Sequence, residues 1–222
     1  VRDRTNDRLQ IIGLLGTIAA RIMNADFNSL MQHHLFPELG MTSTYIDVPD
    51  ARKADYAEGY TKQGAPVRMR GGMLGAQAYG VKTTAADLVR FMQANIDPSA
   101  LDAGLQQAVT QTHTGYFQVG QMTQDLIWEQ YAYPVTLDAL LKGNSSAVIL
   151  NPTPVSRITP PQAPSKAVLI NKTGSTNGFG AYVAFVPEQR IGIVMLANKN
   201  FPIDGRVRAA YEILSTLAAK QR

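Results

Sequence analysis

The sequence predicts an α+β protein, an antiparallel sheet with helices packed on it plus a mostly helical, loop-rich lobe. Three observations carry that reading. Lys166 to Asn171, Phe179 to Val186 and Ile191 to Ala197 read as strands joined by short turns, an antiparallel meander. The second and third are apolar on both faces, which places them inside a sheet covered on both sides. A helix follows at once, with Val207, Ala210, Tyr211, Leu214 and Leu217 on one stripe, Asp204 placed to cap it, and Lys220 and Arg222 at its negative end.

The elements before the meander follow in order. Val1 to Arg8 is charged, lacks an initiator Met and leads into an amphipathic helix, so it does not read as a signal peptide. Ile11, Leu14, Leu15, Ile18 and Ile22 form one helical stripe, expected to be core; Gly13 and Gly16 interrupt it and permit close packing. Asp26 is placed to cap a second helix through Phe27, Leu30, Met31 and His34, which Pro37 and Gly40 are expected to end. Residues 41–82 are rich in Gly and Pro, and an ordered connection of that length points to function. Thr84-Ala85-Ala86-Asp87 opens a helix carrying Leu88, Phe91 and Met92, and a further helix is expected after Pro98. Residues 113–165 read as short strands broken by prolines. A coarse division assigns 1–150 to the helical lobe and 151–222 to the sheet strands and last helix, as parts of one body.

Composition excludes several function classes. With 222 residues the chain can bury one substantial core. It has no Cys, hence no disulfide, thiolate metal site or thiol nucleophile, and three His: adjacent His33 and His34, and His113, expected at a loop or strand edge. No metal site is expected. No apolar run approaches the roughly 20 residues of a membrane span. The net charge of +4 is dispersed rather than clustered, which argues against nucleic-acid binding.

The sharpest motif is Lys172-Thr173-Gly174, followed by Ser175-Thr176-Asn177-Gly178-Phe179-Gly180, at the end of one expected strand and leading into the next. Lys places a cation beside an anionic substrate. Thr offers a hydroxyl to a carboxylate. Gly lets a substrate approach the backbone and pair with a strand edge. Taken alone, a K-T-G tripeptide is equally a surface strand end.

The stretch Lys172 to Asn200 resembles the C-terminal region of class C (AmpC-type) serine β-lactamases. Ala78 to Thr84, Trp128-Glu129, Ile158-Thr159-Pro160-Pro161, Ile12 to Gly16 and the closing helix extend the resemblance over nearly all of the chain, and over only the C-terminal part of the family. It implies a β-lactamase/transpeptidase-like fold without its N-terminal segment, and hydrolysis of β-lactam antibiotics (penicillins, cephalosporins) through a serine acyl-enzyme in the bacterial periplasm, with no cofactor. By the same resemblance Lys172 and Thr173 form the carboxylate-binding and electrostatic pair, with Gly174 beside them. Ser175 supplies an oxyanion-hole N–H, Asn200 and Arg206 contact the substrate carboxylate, and Tyr79 is a wall of the side-chain pocket.

The chain departs from the family pattern at the nucleophile. No Ser is followed three residues later by Lys, and none of its nine tyrosines has Asn two residues on. Without that Ser, and the Lys and Tyr that take its proton, no acyl-enzyme forms, so the chain alone is expected to be inactive or impaired. Arg70-Gly71-Gly72, Gly75, Gln77 and Ile127 also depart from the family's loop and G-W-E elements, and Ile203 from a second carboxylate-binding Asn. The alternatives are a non-catalytic remnant that binds β-lactams, a truncated product without selected function, and a D-alanyl-D-alanine peptidase or esterase on the same scaffold. Trp128 is expected to pack in the core. The missing segment is expected to leave a sheet edge unpaired.

Overall fold

The computed structural model describes residues 4–68 and 71–221, with side chains from residue 11 onward. Arg70, singled out above, and the side chains of the charged N-terminal stretch lie outside the described residues.

Seven antiparallel strands form one sheet in the order β6-β3-β4-β5-β7-β8-β9. They are β3 (Gly115–Val119), β4 (Met122–Gln124), β5 (Glu129–Ala132), β6 (Ser156–Gln162), β7 (Val168–Thr176), β8 (Phe179–Val186) and β9 (Ile191–Ala197). The last two have the bounds read from sequence, because an uninterrupted apolar run leaves little choice of limits. β7 runs to Thr176, so the K-T-G motif lies within a strand rather than at its end. Three of the seven strands precede residue 150, so a division there does not follow the sheet.

Helices cover both faces, which is why β8 is apolar throughout. Tyr182, Ala184 and Val186 point toward Val207, Ala210 and Leu214 of α9 (Ile203–Lys220), joined by Leu140 of α7 (Leu137–Gly143). Val183 and Phe185 point the other way, toward Met92 of α5 (Ala85–Ile96), with Ile170 and Trp128. Trp128 packs edge-on against Phe185, 5.3 Å between ring centres, and stacks with Phe91 at 6.1 Å. Burying aromatics of this size supplies roughly 2–3 kcal/mol each. A third cluster, Phe36, Leu39, Met41 and Ile46, forms the centre of the helical lobe.

Local signals explain most of the remaining elements. Asp26 accepts from Ser29 N at 3.0 Å and caps α2 (Phe27–Leu30). That helix continues as a wider π-turn, Met31–Leu35, and a final turn, α3 (Phe36–Glu38), so Pro37 sits inside the last turn and the chain leaves at Gly40, whose φ of +69° suits glycine. Thr84 accepts from Asp87 N and caps α5. The helix after Pro98 is a single 3-10 turn followed by α6 (Ala103–Gln111), capped by Asp102. α9 begins after Pro202 with no side-chain cap, so Asp204 lies in the first turn rather than at the cap. Pro fits that entry because its missing N–H leaves one fewer donor to satisfy.

The principal correction concerns α1 (Arg4–Ile22), whose apolar stripe was expected in the core. Ile11 is 66% exposed, Ile22 is 79% exposed, and Leu14, Leu15 and Ile18 are also exposed. The face that packs is the small one. A Cβ at Gly13 would lie 2.4 Å from Leu74 Cβ and one at Gly16 2.8 Å from Gln77 Cβ, so only glycine lets α4 (Gly75–Tyr79) approach. Among its described side chains, α1 therefore turns Gly13, Gly16 and Ala20 inward and leaves the large apolar ones outside.

His113 lies in the turn between α6 and β3, as expected of a loop residue, and it is buried there, hydrogen-bonded through Nε2 to Asn95 Oδ1 at 3.0 Å and set among Trp128 and Phe185. Burial pulls its pKa down to about 4.

Candidate active-site strand

β7 has a partner on one side only over its second half. β8 pairs with it from Ile170 through Thr176 without a register shift, whereas β5 pairs only from Val168 to Asn171. The side of β7 facing β5 is therefore an open edge from Lys172 onward, among the described strands.

The period of two fixes which groups face that edge. Ala167 O accepts from Tyr133 N on the β5 side, and Lys166 O accepts from Glu188 N on the β8 side. Odd-numbered residues thus direct their backbone N–H and C=O toward β5, and Thr173 and Ser175, where β5 has ended, direct theirs into the open edge. Side chains alternate between the faces. Lys172 lies on the face of Ile170 and Trp128, while Thr173 and Ser175 lie on the face of Leu169, Tyr182 and α9.

Each side chain is held by a different element. Lys172 Nζ donates to Glu129 Oε1 of β5 at 2.6 Å, an ion pair whose carboxylate is nearly buried. A chain of amides fixes β5 against β7. Asn171 Nδ2 donates to Glu129 O at 2.9 Å, and Asn144 Nδ2 donates to Asn171 Oδ1 and to Leu140 O, both at 3.0 Å. Both asparagines are buried, where such bonds cannot be exchanged for water. Nothing in the sequence marks Asn144 or Glu129 for this role, and the one signal for Asn171 is an Asn at the end of an apolar strand run.

Arg206 is only 1% exposed. Its Nη1 donates to Gly174 O at 2.7 Å and to Ala181 O, and its Nη2 donates to Ser175 Oγ at 2.7 Å. Burial lowers its pKa; a guanidinium still keeps its charge. Gly180 makes room for it, since a Cβ there would lie 3.2 Å from Arg206 Cζ. The guanidinium thus reaches the motif from behind β7, through Ser175. Asn200 is also occupied: its Oδ1 accepts from Gly178 N at 3.1 Å, holding the β7–β8 turn. Tyr60, of the short strand β1 (Gly59–Tyr60), docks on the same turn through its N–H to Gly178 O at 3.3 Å, and just past the end of β9 through the same N–H to Asn198 O at 2.9 Å, so the long loop abuts the motif strand. Tyr79 ends α4 with its hydroxyl toward Gly72 and Gly75, and among the described residues no hydrogen bond joins it to β7.

A cationic strand with an open edge, hydroxyls on one face and free backbone donors is suited to binding a carboxylate and polarising a carbonyl. A family model for β-lactamase matches residues 9–218. The chain belongs to the β-lactamase family. A curated β-lactamase of Pseudomonas fluorescens is 49% identical over 206 residues, 93% of this chain and 58% of that protein. The solved structure of the D-alanine carboxypeptidase AmpC from Burkholderia cenocepacia is 59% identical, with a TM-score of 0.92 over 94% of this chain and 60% of its own. A class C β-lactamase solved in complex with cefoxitin is 51% identical, with a TM-score of 0.87 over 92% of this chain and 57% of its own. The chain thus has the β-lactamase/transpeptidase-like fold on the class C branch, and spans a little over half the length of these relatives.

Proposed function

We propose that this chain forms the carboxylate-binding and oxyanion wall of a class C β-lactamase site, and that alone it binds β-lactams without turning them over. The observation that carries this reading is the open edge of β7. A β-lactam amide laid along it would meet the Ser175 N–H as carbonyl donor, and its carboxylate would lie beside the Thr173 hydroxyl, under the field of Lys172. One such donor is worth roughly 3 kcal/mol of barrier.

In the whole reaction a serine attacks the β-lactam carbonyl, the ring amide bond breaks, and water releases the acyl group. The residues of this strand stabilise charge and orient the ring; they do not attack. The absence of Ser-x-x-K and Tyr-x-Asn from the sequence supports a binding role here, and the implied setting is the periplasm. The cefoxitin complex of a class C relative supports penicillins and cephalosporins as the ligand class. The carboxypeptidase relative supports a second reading, in which the edge receives a peptide ending in D-alanyl-D-alanine.

The test is intact-protein mass after incubation with benzylpenicillin and, separately, cefoxitin, together with nitrocefin hydrolysis. The expected result is an unmodified mass, no hydrolysis above buffer, and reversible binding of benzylpenicillin. A one-to-one covalent adduct would show that a substitute nucleophile exists, and peptide mapping would identify it. Displacement of benzylpenicillin by a D-alanyl-D-alanine peptide at similar concentration would favour the second reading.

A further inference from the structure

We infer that the exposed face of α1 joins two copies of this chain, α1 against α1, antiparallel about a two-fold axis. At about 100° of turn per residue, Ile11, Leu15, Ile18 and Ile22 fall within about 60° of arc, opposite Gly13, Gly16 and Ala20. The small side packs on α4, whereas none of the four large residues belongs to a hydrophobic cluster of the described core. Ile12, Leu14 and Met23 flank them and are exposed as well. The size of the face calls for a macromolecular occupant. Its seven large apolar residues are between 37% and 79% exposed and leave roughly 700 Å² uncovered, more than the roughly 300–600 Å² of the largest patch on an ordinary monomer and near the roughly 800 Å² that each partner gives a standard interface.

The pattern selects the occupant. Ile11, Leu15, Ile18 and Ile22 are spaced by four, three and four residues. That is the narrow seam of a helix paired with one other helix, not the broad stripe of a helix laid on a sheet. A lipid surface asks for Lys and Arg along the polar border, and between Ile11 and Ile22 the one charged residue is Arg21. The spacing also reads the same in both directions. A second copy turned antiparallel therefore sets Ile11 against Ile22 and Leu15 against Ile18 of the other copy, and the two-fold repeats both layers. Antiparallel pairing further places the positive end of each helix dipole beside the negative end of the other.

The test is sedimentation velocity of the whole chain over a concentration series, with disulfide trapping to fix the orientation. The parent should show a monomer–dimer equilibrium with a Kd of about 10–100 µM. Leu15→Glu, at an exposed position, should keep the parent's circular dichroism and weaken dimerisation at least about tenfold, because it brings carboxylates into an apolar seam. The chain has no Cys, so single-Cys variants report the pairing directly. Ile11→Cys and Ile22→Cys chains, mixed and mildly oxidised, should form the mixed disulfide several-fold faster than either forms its own. In the antiparallel pair two copies of residue 11 stand about 16 Å apart along the axis, beyond the roughly 7 Å that a disulfide spans. A monomer at every concentration, a dimer unchanged in Leu15→Glu, or faster trapping of Ile11→Cys with itself would overturn the inference. So would binding to phosphatidylglycerol vesicles in place of dimerisation, or a chain that stays monomeric and captures only the segment that its relatives carry and it does not span.

Discussion

Asp125 lies at the turn from β4 to β5, 3% exposed, and neither carboxylate oxygen has a hydrogen-bond partner. Burial pushes its pKa from 3.8 up to about 8, with the Glu129 charge adding to the rise and the neighbouring Gln130 amide offsetting part of it. The fold therefore prefers the neutral acid. The unfolded chain loses this proton as pH rises past 3.8, so stability falls from there until pH reaches about 8. At pH 7 the full linkage would cost about 4 kcal/mol, at about 1.4 kcal/mol per tenfold in proton affinity, and water entry on ionisation brings the expected cost to about 2 kcal/mol. Asp125→Asn removes it. The variant should gain about 2 kcal/mol over the parent at pH 7, more at pH 8.5, and nearly nothing at pH 4. Urea unfolding, read by Trp128 as the single tryptophan, measures the difference at each pH, and comparison at equal pH cancels the other titrating groups. A gain that does not change with pH, or a loss at pH 7, would refute the reasoning.

Four further predictions follow. Compared with His113→Gln at equal pH, which cancels the opposing Asp125 contribution, the parent should lose up to about 3 kcal/mol between pH 6.5 and 4 in the same unfolding series, because His113 is held neutral in the fold with a pKa of about 4 and the unfolded chain takes up the proton first. Asn171→Ala strips the buried Glu129 carbonyl and the Asn144 amide of a partner and should cost about 2–4 kcal/mol, measured by chemical denaturation. Gly143→Ala brings a Cβ 1.8 Å from the Tyr131 hydroxyl and should cost about 3 kcal/mol; Tyr131→Phe, which deletes a buried hydroxyl without a partner, should recover much of the loss in the double variant's Tm. Leu14→Glu with Ile18→Glu should reduce self-association in sedimentation and binding of a hydrophobic dye, and change stability by no more than about 0.5 kcal/mol, because both residues are exposed.

The parts of the fold legible in the sequence were those that local pattern decides. β8 and β9 are apolar at every position, and Thr84 and Asp26 cap helices by contacts within three residues. The site was legible as a motif but not as a geometry. The Lys172–Glu129 pair joins residues 43 apart, and Arg206 reaches Ser175 across 31 positions, separations that only the sheet order brings into contact. The α1 stripe misleads for a related reason. Periodicity shows which residues share a face, but the packed face is chosen by how near a neighbour can come, and there the glycines outcompete the large apolar side chains. The loop position of His113 is legible in the sequence but its burial is not, because a lone histidine carries no periodic signal and its partner Asn95 lies 18 residues back on α5.

The measurement that bears most directly on the account is a two-dimensional amide NMR titration of the whole chain with benzylpenicillin. Saturable shifts centred on Thr173, Gly174 and Ser175, extending to Gly178 and the Glu129 amide, with no change in mass, are the expected result. Shifts centred elsewhere, for example on the exposed face of α1, or no shifts at millimolar ligand, would contradict it.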